Sequence, residues 1–436
     1  MASIIAIPVI KNNLTELTTN MLIDKLKQRL SNPFIRNVGW LGVAELVNRI
    51  FRLATTVTLA RTFSPYDYGM VSIIYTIFDF TSVLTLRTGI GAKIIQAEPE
   101  ELEVICNTSY WLNWILCGSL FLLQCLAAYP IAQIYKNNQL ILPICAVALA
   151  YLIIPIYTIQ ATLIQRENRL KITAICNISQ GIASNIIIVI LALLGMGVWS
   201  VVWSMVLGYL VWTVVNYINH PWRPPKFFTL ERWREITSFG GKLLGVDLLA
   251  RLRMNLDYLL VGRFLGIEAL GVYFFAFNAG LGISQSVINA FTVALYPHLC
   301  AARGDNTQLK KQFFSSFKTI ALIVVPFIIL QSSLAPFYVP IVFGQKWIPA
   351  IPILILICLS ALPLTISRAT SQLLQAVDKT HIDFYWNAIF TVIFAVALLL
   401  AVQQGVLAVA LAVLITQAVA IPLFAIWVFR HVFTKN

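Results

Sequence analysis

The chain has 436 residues, of which 59% are hydrophobic and 11% charged, with a net charge of +13 and a mean hydropathy of +0.82. A soluble domain has about a quarter charged residues, so this composition excludes an ordinary water-soluble globular protein. Long apolar blocks recur between short polar segments, and a helix needs about 20 mostly apolar residues to cross a bilayer. We therefore predict an all-α polytopic membrane protein.

The first predicted element is a polar, basic N-terminal tail, residues 1–35. Its opening MASIIAIPVI is too short and too weakly basic for a secretory signal, and Met21 is an alternative first residue. The tail is followed by about twelve spans. The predicted limits are 36–60, 67–90, 104–129, 139–161, 172–194, 198–219, 238–262, 269–295, 315–338, 348–368, 384–402 and 406–429.

Lysine and arginine set the orientation of these spans, because cytoplasmic loops hold an excess of both. Most of the 31 Lys and Arg residues lie in the two tails and the even-numbered loops, including Arg87 and Lys93 of the second loop. Both termini are therefore predicted to be cytoplasmic. Basic loops facing anionic membrane lipid account for the net charge, so we predict no nucleic-acid partner.

Little in the sequence points to catalysis or to a metal. The outer loops are short, so no outer domain is available for an active site. The seven cysteines are scattered without CxxC spacing, and the histidines have no helical partner for metal ligation. We predict neither a metal site nor an enzyme.

An internal repeat divides the chain into two halves. ELVNRIFRLATTVTLARTFSPYDYGMV, from Glu45, aligns without gaps on DLLARLRMNLDYLLVGRFLGIEALGVY, from Asp247, and Gly69 meets Gly271. Six spans separate the copies, which predicts parallel halves related by an axis along the membrane normal. The predicted organisation is an N-terminal lobe of residues 36–219, a cytoplasmic linker of 220–237, a C-terminal lobe of 238–430 and a tail of 431–436.

Charged residues lie inside two of the predicted spans. At about 100° per residue, the polar positions of the first span fall within a single arc of roughly 100°, whereas those of the seventh cover about half the helix. The second span adds one acid. These positions are Glu45, Asn48, Arg49 and Arg52 in the first span, Asp79 in the second, and Lys242, Asp247, Arg251, Arg253 and Asp257 in the seventh.

These groups cannot face lipid. An ionised side chain at the bilayer centre costs about 2.5–3.5 kcal/mol, and nine of them cost roughly 20 kcal/mol or more, against a usual net stability of about 5–15 kcal/mol. One alternative is structural pairing, as Glu45–Arg49, Asp247–Arg251 and Arg253–Asp257. We favour a water-filled cavity between the halves, because the cations outnumber the acids and the charged positions recur in both copies.

The cations and the acids of this cavity have different predicted roles. Arginine forks suit phosphate or carboxylate oxygens, so the predicted ligands of an anionic head group are Asn48, Arg49, Arg52, Lys242, Arg251 and Arg253. The acids Glu45, Asp79, Asp247 and Asp257 are candidates for H⁺ or Na⁺ coupling; no other cofactor is predicted. Asp79 has no nearby cation in sequence, so we expect it to titrate most readily.

The connection between the first two spans carries a resemblance to a known family. LARTFSPYDYGMVSI is similar to the first-loop signature of polysaccharide transporters in the multidrug/oligosaccharidyl-lipid/polysaccharide exporter superfamily. Arg61, Pro65, Asp67, Tyr68 and Gly69 match, whereas Phe63 and Ser64 stand where Leu and Gly are usual. The second-half stretch RFLGIEALGVY is similar to the same pattern, and the likeness extends across about residues 35–430.

The resemblance implies a MATE-like fold of two six-helix lobes with a cationic central cavity. It implies a flippase for polyprenyl-diphosphate-linked oligosaccharide units in a bacterial plasma membrane, serving O-antigen, capsule or exopolysaccharide assembly beside glycosyltransferases and a polymerase. A cation-coupled multidrug antiporter is the alternative, and it requires an acidic or apolar cavity. A membrane polymerase or ligase is the third reading, disfavoured by the short outer loops.

Overall fold

The computed structural model describes residues 33–433, apart from the side chains of 33–46, 50, 242, 243, 246, 283, 286, 287, 290, 293 and 294. Most of the predicted N-terminal tail and the last residues of the chain therefore lie outside the described part. Within residues 33–433 the regular elements are all helices, which confirms the predicted all-α class.

Fourteen α-helices make up the described chain, and each predicted span coincides with one of them or with two consecutive ones. The first half contains α1 (Pro33–Thr62), α2 (Pro65–Val83), α3 (Arg87–Gln96), α4 (Leu102–Ile134), α5 (Ile141–Ala148), α6 (Ala150–Arg166), α7 (Leu170–Leu193) and α8 (Val198–Asn219). The second half contains α9 (Trp233–Phe264), α10 (Ile267–Cys300), α11 (Asn306–Tyr338), α12 (Ile351–Ala376), α13 (Thr380–Ala401) and α14 (Val406–Phe433).

Nine helical segments of the described chain are long and apolar enough to cross a membrane, so this is a multi-pass membrane protein. Three further helices, α1, α9 and α10, have 30, 32 and 34 residues. The nine segments are Pro65–Gln96, Leu102–Ile134, Asn138–Arg166, Leu170–Leu193, Val198–Asn219, Asn306–Phe343, Gln345–Ala376, Thr380–Gln404 and Val406–Phe433.

The predicted second span is interrupted where α2 gives way to α3. Leu86 has a φ of 53°, in the left-handed region, which turns the chain out of the α2 axis. Side chains accompany the break: Ser82 Oγ donates to the carbonyl of Asp79 at 2.8 Å, and Thr85 Oγ1 to that of Ser82 at 2.7 Å. The break therefore lets Arg87 begin a new helix inside the span.

Each half packs mostly on itself, and α2 joins the two. In the first half α1 packs along α7, and α7 along α8; in the second, α12 packs between α10 and α14. Across the halves, α2 packs against α9 and α10, and α3 packs against α9. The space between the halves is therefore bordered by α1, α2, α7, α9 and α10.

The segment between α8 and α9 is held against the first half. Trp111 Nε1, on α4, donates to the carbonyl of Phe227 at 3.0 Å, and Thr108 Oγ1 donates to that of Glu231 at 2.7 Å. Near its start, His220 contacts Glu167 Oε1 at 3.2 Å. The linker is thus fixed to α4 and to the α6–α7 turn.

Candidate functional site

The connection between α1 and α2 is fixed by a helix cap. Ser64 is the N-cap of α2, and its Oγ accepts from the Asp67 amide at 3.2 Å while the Asp67 carboxylate accepts from the Ser64 amide at 2.9 Å. This reciprocal capping box satisfies two amide groups that a helix start leaves without partners. Ser64, which stands where the signature that this stretch resembles usually has Gly, thus orients the first turn of α2.

The end of α1 is bonded to the second half of the chain. Arg61 Nε donates to the Val342 carbonyl at 2.8 Å, and its Nη2 donates to the carbonyl of Ile341. In the other direction, Lys346 Nζ donates to the Arg61 carbonyl at 2.9 Å and Trp347 Nε1 to the Ala60 carbonyl at 2.9 Å. Two kinds of group therefore bond the end of α1 to the second half. They are the carbonyls of its last turn, which a helix end leaves without partners inside the helix, and the side chain of Arg61.

Aromatic side chains close the space beside this contact. Tyr68 packs edge-on against Trp347, with ring centroids 4.9 Å apart, and against Phe275 at 5.8 Å. Phe275 stacks on Trp347 at 3.9 Å and meets Phe343 edge-on at 5.2 Å. All four are buried. We call this cluster of Tyr68, Phe275, Phe343 and Trp347 the closed end.

Two glycines let α2 and α10 cross at the closed end. A Cβ added to Gly69 would overlap the carbonyl oxygen of Ile267, and one added to Gly271 would overlap that of Pro65. Gly69 aligns with Gly271 in the internal repeat, and Pro65 aligns with Ile267. The contact is therefore reciprocal, as expected when two copies of one helix meet across a two-fold axis.

A cavity of about 1140 Å³ extends between the halves from the closed end. Four arginines and two aspartates are among the described residues that line it, together with amide and aromatic side chains. The charged and amide members include Asn48, Arg49, Arg52, Asp79, Arg87, Asn177, Gln180, Asn185, Asp247, Arg251 and Asn278; the aromatic members are Phe63, Tyr68, Tyr75, Phe78, Tyr209, Phe274 and Phe343.

The polar face of α1 lines this cavity. Asn48, Arg49 and Arg52, all predicted ligands, lie in its wall. Asn48 Nδ2 also donates to the Asn177 carbonyl of α7 at 3.0 Å, which fixes the rotation of α1 about its axis. The Arg52 side chain is exposed, and no ion pair joins it to another described residue. Arg49 and Arg52 thus contribute positive charge to the cavity wall.

Arg251 of α9 makes an ion pair that sequence spacing did not predict. Its Nη1 lies 2.8 Å from Asp79 Oδ1, across the two halves. Asn255 Nδ2 donates to the other carboxylate oxygen at 3.0 Å. The anticipated Asp247–Arg251 pair is therefore replaced by Asp79–Arg251. Asp79 has no nearby cation in sequence, but it pairs with one in the folded chain because α2 and α9 pack together.

Arg87, which was predicted to lie in the second loop, lines the cavity. It begins α3, is exposed to the cavity, and lies 5.6 Å from the Tyr157 ring centroid and 5.5 Å from that of Trp212. Cation–π contacts of this length hold a guanidinium against an aromatic wall. The sequence signal that could have located Arg87 in the cavity wall was the group of polar residues Thr85, Arg87 and Thr88 within the predicted 67–90 span.

Arg253 lies outside the cavity, contrary to the prediction. Its Nη1 donates to Asn387 Oδ1 on α13. Asn387 in turn donates to Asp383 Oδ1 at 3.1 Å, and Ser371 Oγ donates to the same oxygen at 2.8 Å. Arg253 therefore belongs to a polar cluster within the second half, because it faces α13 rather than the first half.

Asp257 also lies outside the cavity, and the anticipated Arg253–Asp257 pair is absent from the described ion pairs. Its side chain is 4% exposed. Oδ2 accepts from the Tyr273 hydroxyl at 2.7 Å, and Oδ1 accepts from the Tyr258 amide at 3.0 Å. Asp257 thus ties α9 to α10. The side chains of Glu45 and Lys242, the remaining predicted site residues, lie outside the described part.

The halves also meet at the far side of the cavity. Lys93 of α3 forms an ion pair with Glu235 of α9, and a Cβ on Gly89 would overlap Gly240. The charged cavity therefore lies between two contacts of the first half with the second: the closed end and this one.

Comparison with known families identifies the chain. Residues 58–352, more than half of it, match the family described as polysaccharide biosynthesis protein. The chain belongs to this family. The membership predicted from the signature around Arg61 and Gly69 is therefore confirmed.

Two curated relatives in this family agree with that assignment. TuaB of Bacillus subtilis (strain 168), a teichuronic acid biosynthesis protein, is 29% identical over 328 residues, covering 74% of this chain and 67% of TuaB. WzxC of Escherichia coli (strain K12), a lipopolysaccharide biosynthesis protein, is 26% identical over 402 residues, covering 89% of this chain and 80% of WzxC.

Solved structures share the fold. The lipid II flippase MurJ in an inward closed conformation has a TM-score of 0.73 and 14% identity, covering 90% of both chains. An inward-facing multidrug resistance MATE transporter of the MOP superfamily has a TM-score of 0.66 and 14% identity, covering 91% of this chain and 98% of the transporter. At these identities the likeness concerns the fold alone, and function has to be argued from the site.

Proposed function

We propose that this protein is a flippase that carries polyprenyl-diphosphate-linked oligosaccharide units across the bacterial plasma membrane by alternating access. The observation that carries the proposal is the cavity of about 1140 Å³ with Arg49, Arg52, Arg87 and Arg251 in its wall. Pockets for drug-sized ligands occupy about 300–1,000 Å³, so this space suits a larger head group. Its excess of guanidinium groups suits a diphosphate.

In the proposed architecture the number of membrane spans is twelve. With α1, α9 and α10 added, twelve membrane segments form two six-helix lobes, residues 36–219 and 238–430, joined by the linker 220–237. The reciprocal Gly69–Gly271 contact supports a pseudo-two-fold axis along the membrane normal. The distribution of Lys and Arg supports cytoplasmic termini, including the tails 1–35 and 431–436, and supports an outer position for the closed end.

The cavity offers separate surfaces to the parts of the substrate. The arginines bind the diphosphate, and Asn48 and Asn278 offer amide groups to sugar hydroxyls. Tyr75 and Phe274, with ring centroids 6.4 Å apart, present flat apolar faces that suit the C–H faces of sugar rings. The polyprenyl chain stays in the lipid while the head group moves.

Alternating access requires the closed end to open while the contact at the far side of the cavity is kept, and the closed end to re-form when that far contact opens. Opening breaks the Arg61 and Trp347 hydrogen bonds, and the Lys93–Glu235 pair is the corresponding connection on the cytoplasmic side. Each half then moves largely as a unit because most packing is internal to it. No covalent step is part of this cycle.

Coupling to H⁺ or Na⁺ is assigned to acids that reach the cavity. Asp79 and Asp247 line it, whereas Asp257 is engaged by two tyrosines and is left out. Glycosyltransferases supply the lipid-linked unit and a polymerase consumes it, so both belong to the proposed pathway.

The test is flipping of a fluorescent polyprenyl-diphosphate glycan in proteoliposomes, paired with polymer export in cells. Arg49→Ala and Arg251→Ala are expected to abolish both while expression is retained. Arg303→Ala is the matched control, because Arg303 is 62% exposed and lies outside the cavity wall. Wild-type flipping in both cavity variants would refute the assignment of the cavity as the substrate site.

A cation-coupled multidrug antiporter remains the second candidate, favoured by the shared fold of the MATE transporter. Cationic drugs need an acidic or apolar cavity, and arginines outnumber aspartates in the described wall. Expression in an efflux-deficient host decides between the two. The flippase predicts no gain in resistance to cationic drugs.

A further inference from the structure

The Asp79–Arg251 ion pair occupies an anion-binding position on the cavity wall. Both residues line the cavity, and their side chains are 32% and 42% exposed, so a ligand in the cavity can reach them. Asn255 donates to Asp79 Oδ2 at 3.0 Å and to the Arg251 carbonyl at 3.0 Å, which holds the carboxylate against the guanidinium. Thr76 Oγ1 contacts Asn255 Oδ1 at 3.5 Å.

The same pair also connects the two halves. Asp79 belongs to α2 and Arg251 to α9, 172 positions apart in the chain. Arg52 differs, because it faces the same cavity without an ion pair to another described residue. Among the described residues, the wall therefore presents two exposed guanidinium groups without a described carboxylate, those of Arg52 and Arg87, and a third, that of Arg251, whose carboxylate comes from the opposite half.

We propose that Asp79 is a built-in competitor of the substrate's diphosphate, an inference that rests on the proposed flippase function. Carboxylate and phosphate oxygens are both acceptors for a guanidinium fork, so an incoming diphosphate displaces Asp79 from Arg251. Displacement breaks a link between α2 and α9. A ligand shifts a conformational equilibrium only by its differential affinity for the two states, and this exchange supplies that difference.

Asp79 therefore lowers the affinity of the cavity for the diphosphate. Its displacement also couples binding of the substrate to movement of the two halves. An anion that cannot displace Asp79 leaves the halves linked. Asp79 thus acts as a specificity-determining residue that favours the strongly charged diphosphate over weaker anions. After the diphosphate leaves, the carboxylate returns to Arg251 and restores the link.

The test uses inorganic pyrophosphate binding to the full chain in nanodiscs of zwitterionic lipid. Asp79→Asn preserves shape and removes the competing charge, so affinity should rise about tenfold, which corresponds to about 1.4 kcal/mol. Arg251→Gln should weaken binding, and adding Asp79→Asn to it should bring no gain, because the two effects are coupled through one contact. Asp383→Asn, in the polar cluster outside the cavity, is the matched control and should bind as wild type does.

The outcomes separate this inference from the proposed function. Equal or weaker pyrophosphate binding by Asp79→Asn, with wild-type flipping intact, overturns the competitor role and leaves the flippase standing. Absence of binding and of flipping in the wild type overturns both. If Asp79→Asn cannot be purified, Asn255→Ala carries the test, because it frees the carboxylate from its second support and should raise affinity in the same direction, by about threefold.

Discussion

The glycine crossing at the closed end supports a quantitative prediction about access to the cavity. In Gly271→Ala, the new methyl group would overlap the Pro65 carbonyl oxygen, which belongs to the backbone of α2 and cannot rotate away. The two helices must then separate, and overpacking of this kind costs about 1–3 kcal/mol. The strain falls on the closed conformation, where α2 and α10 touch.

This strain energy changes the relative populations of the closed and the outer-open states. A bias of about 1–3 kcal/mol changes an equilibrium about 5- to 150-fold, so the outer-open state should gain on the order of tenfold. Asn278→Cys places a thiol on the cavity wall, and none of the seven native cysteines lines the described cavity. Labelling of this thiol by a membrane-impermeant maleimide outside intact cells should therefore speed up by that factor when Gly271→Ala is added.

Gly118→Ala is the matched control. It also adds one methyl group in the middle of a helix, but no heavy atom lies within 4 Å of the added carbon. Helix propensity alone makes it neutral or stabilising. Unchanged labelling in Gly271→Ala, or equal acceleration in both variants, would refute the steric reasoning, and acceleration only from the cytoplasmic side would refute the outer position of the closed end.

Three further predictions concern contacts away from the arginine wall. Arg61→Ala removes donors to the Ile341 and Val342 carbonyls and should raise outside labelling as Gly271→Ala does, in the same maleimide assay. Asp257→Asn should cost about 1–3 kcal/mol of stability, seen as a lower unfolding temperature, while pyrophosphate affinity stays unchanged, because its two partners lie outside the cavity. A hydrogen bond from Arg169 lowers the pKa of Glu167, and a hydrogen bond from His220 lowers it further. Its contribution to the free energy of unfolding is therefore present at neutral pH and is lost as pH falls through the lowered pKa. In Glu167→Gln that free energy should decline less on acidification, by roughly 0.5 kcal/mol or less because the pair is exposed, and unfolding temperatures measured across this pH range check it.

The helical architecture was predictable because its signals are local. Hydropathy located the helices of the described chain, although each of the pairs α2–α3 and α5–α6 was predicted as one span, α11 begins nine residues before its predicted limit and α12 ends eight residues after its own. The polar face of α1 predicted Arg49 and Arg52 in the cavity wall. The repeat predicted that Gly69 and Gly271 correspond. It did not predict that they touch, because alignment gives equivalence of positions and not the distance between them.

Most of the positions that the sequence predicted wrongly depend on long-range contacts. Asp79 and Arg251 are far apart in sequence, so spacing rules for a single helix paired Arg251 with Asp247 instead. Arg253 and Asp257 lie on α9 beside residues that do reach the cavity, and only the packing of α13 and α10 shows that they face elsewhere. Arg87 was missed for a local reason: the turn at Leu86 is not visible in a hydropathy profile.

The asymmetry between the halves follows from these same residues. Arg49 and Arg251 are equivalent in the repeat, and both line the cavity. Counted at the same offset, the position equivalent to Asp79 is Leu281, which offers no carboxylate. The carboxylate that pairs with Arg251 therefore has no counterpart at the equivalent position of the second half. An anion that displaces Asp79 removes this one contact between the halves, while the closed end and the Lys93–Glu235 pair remain.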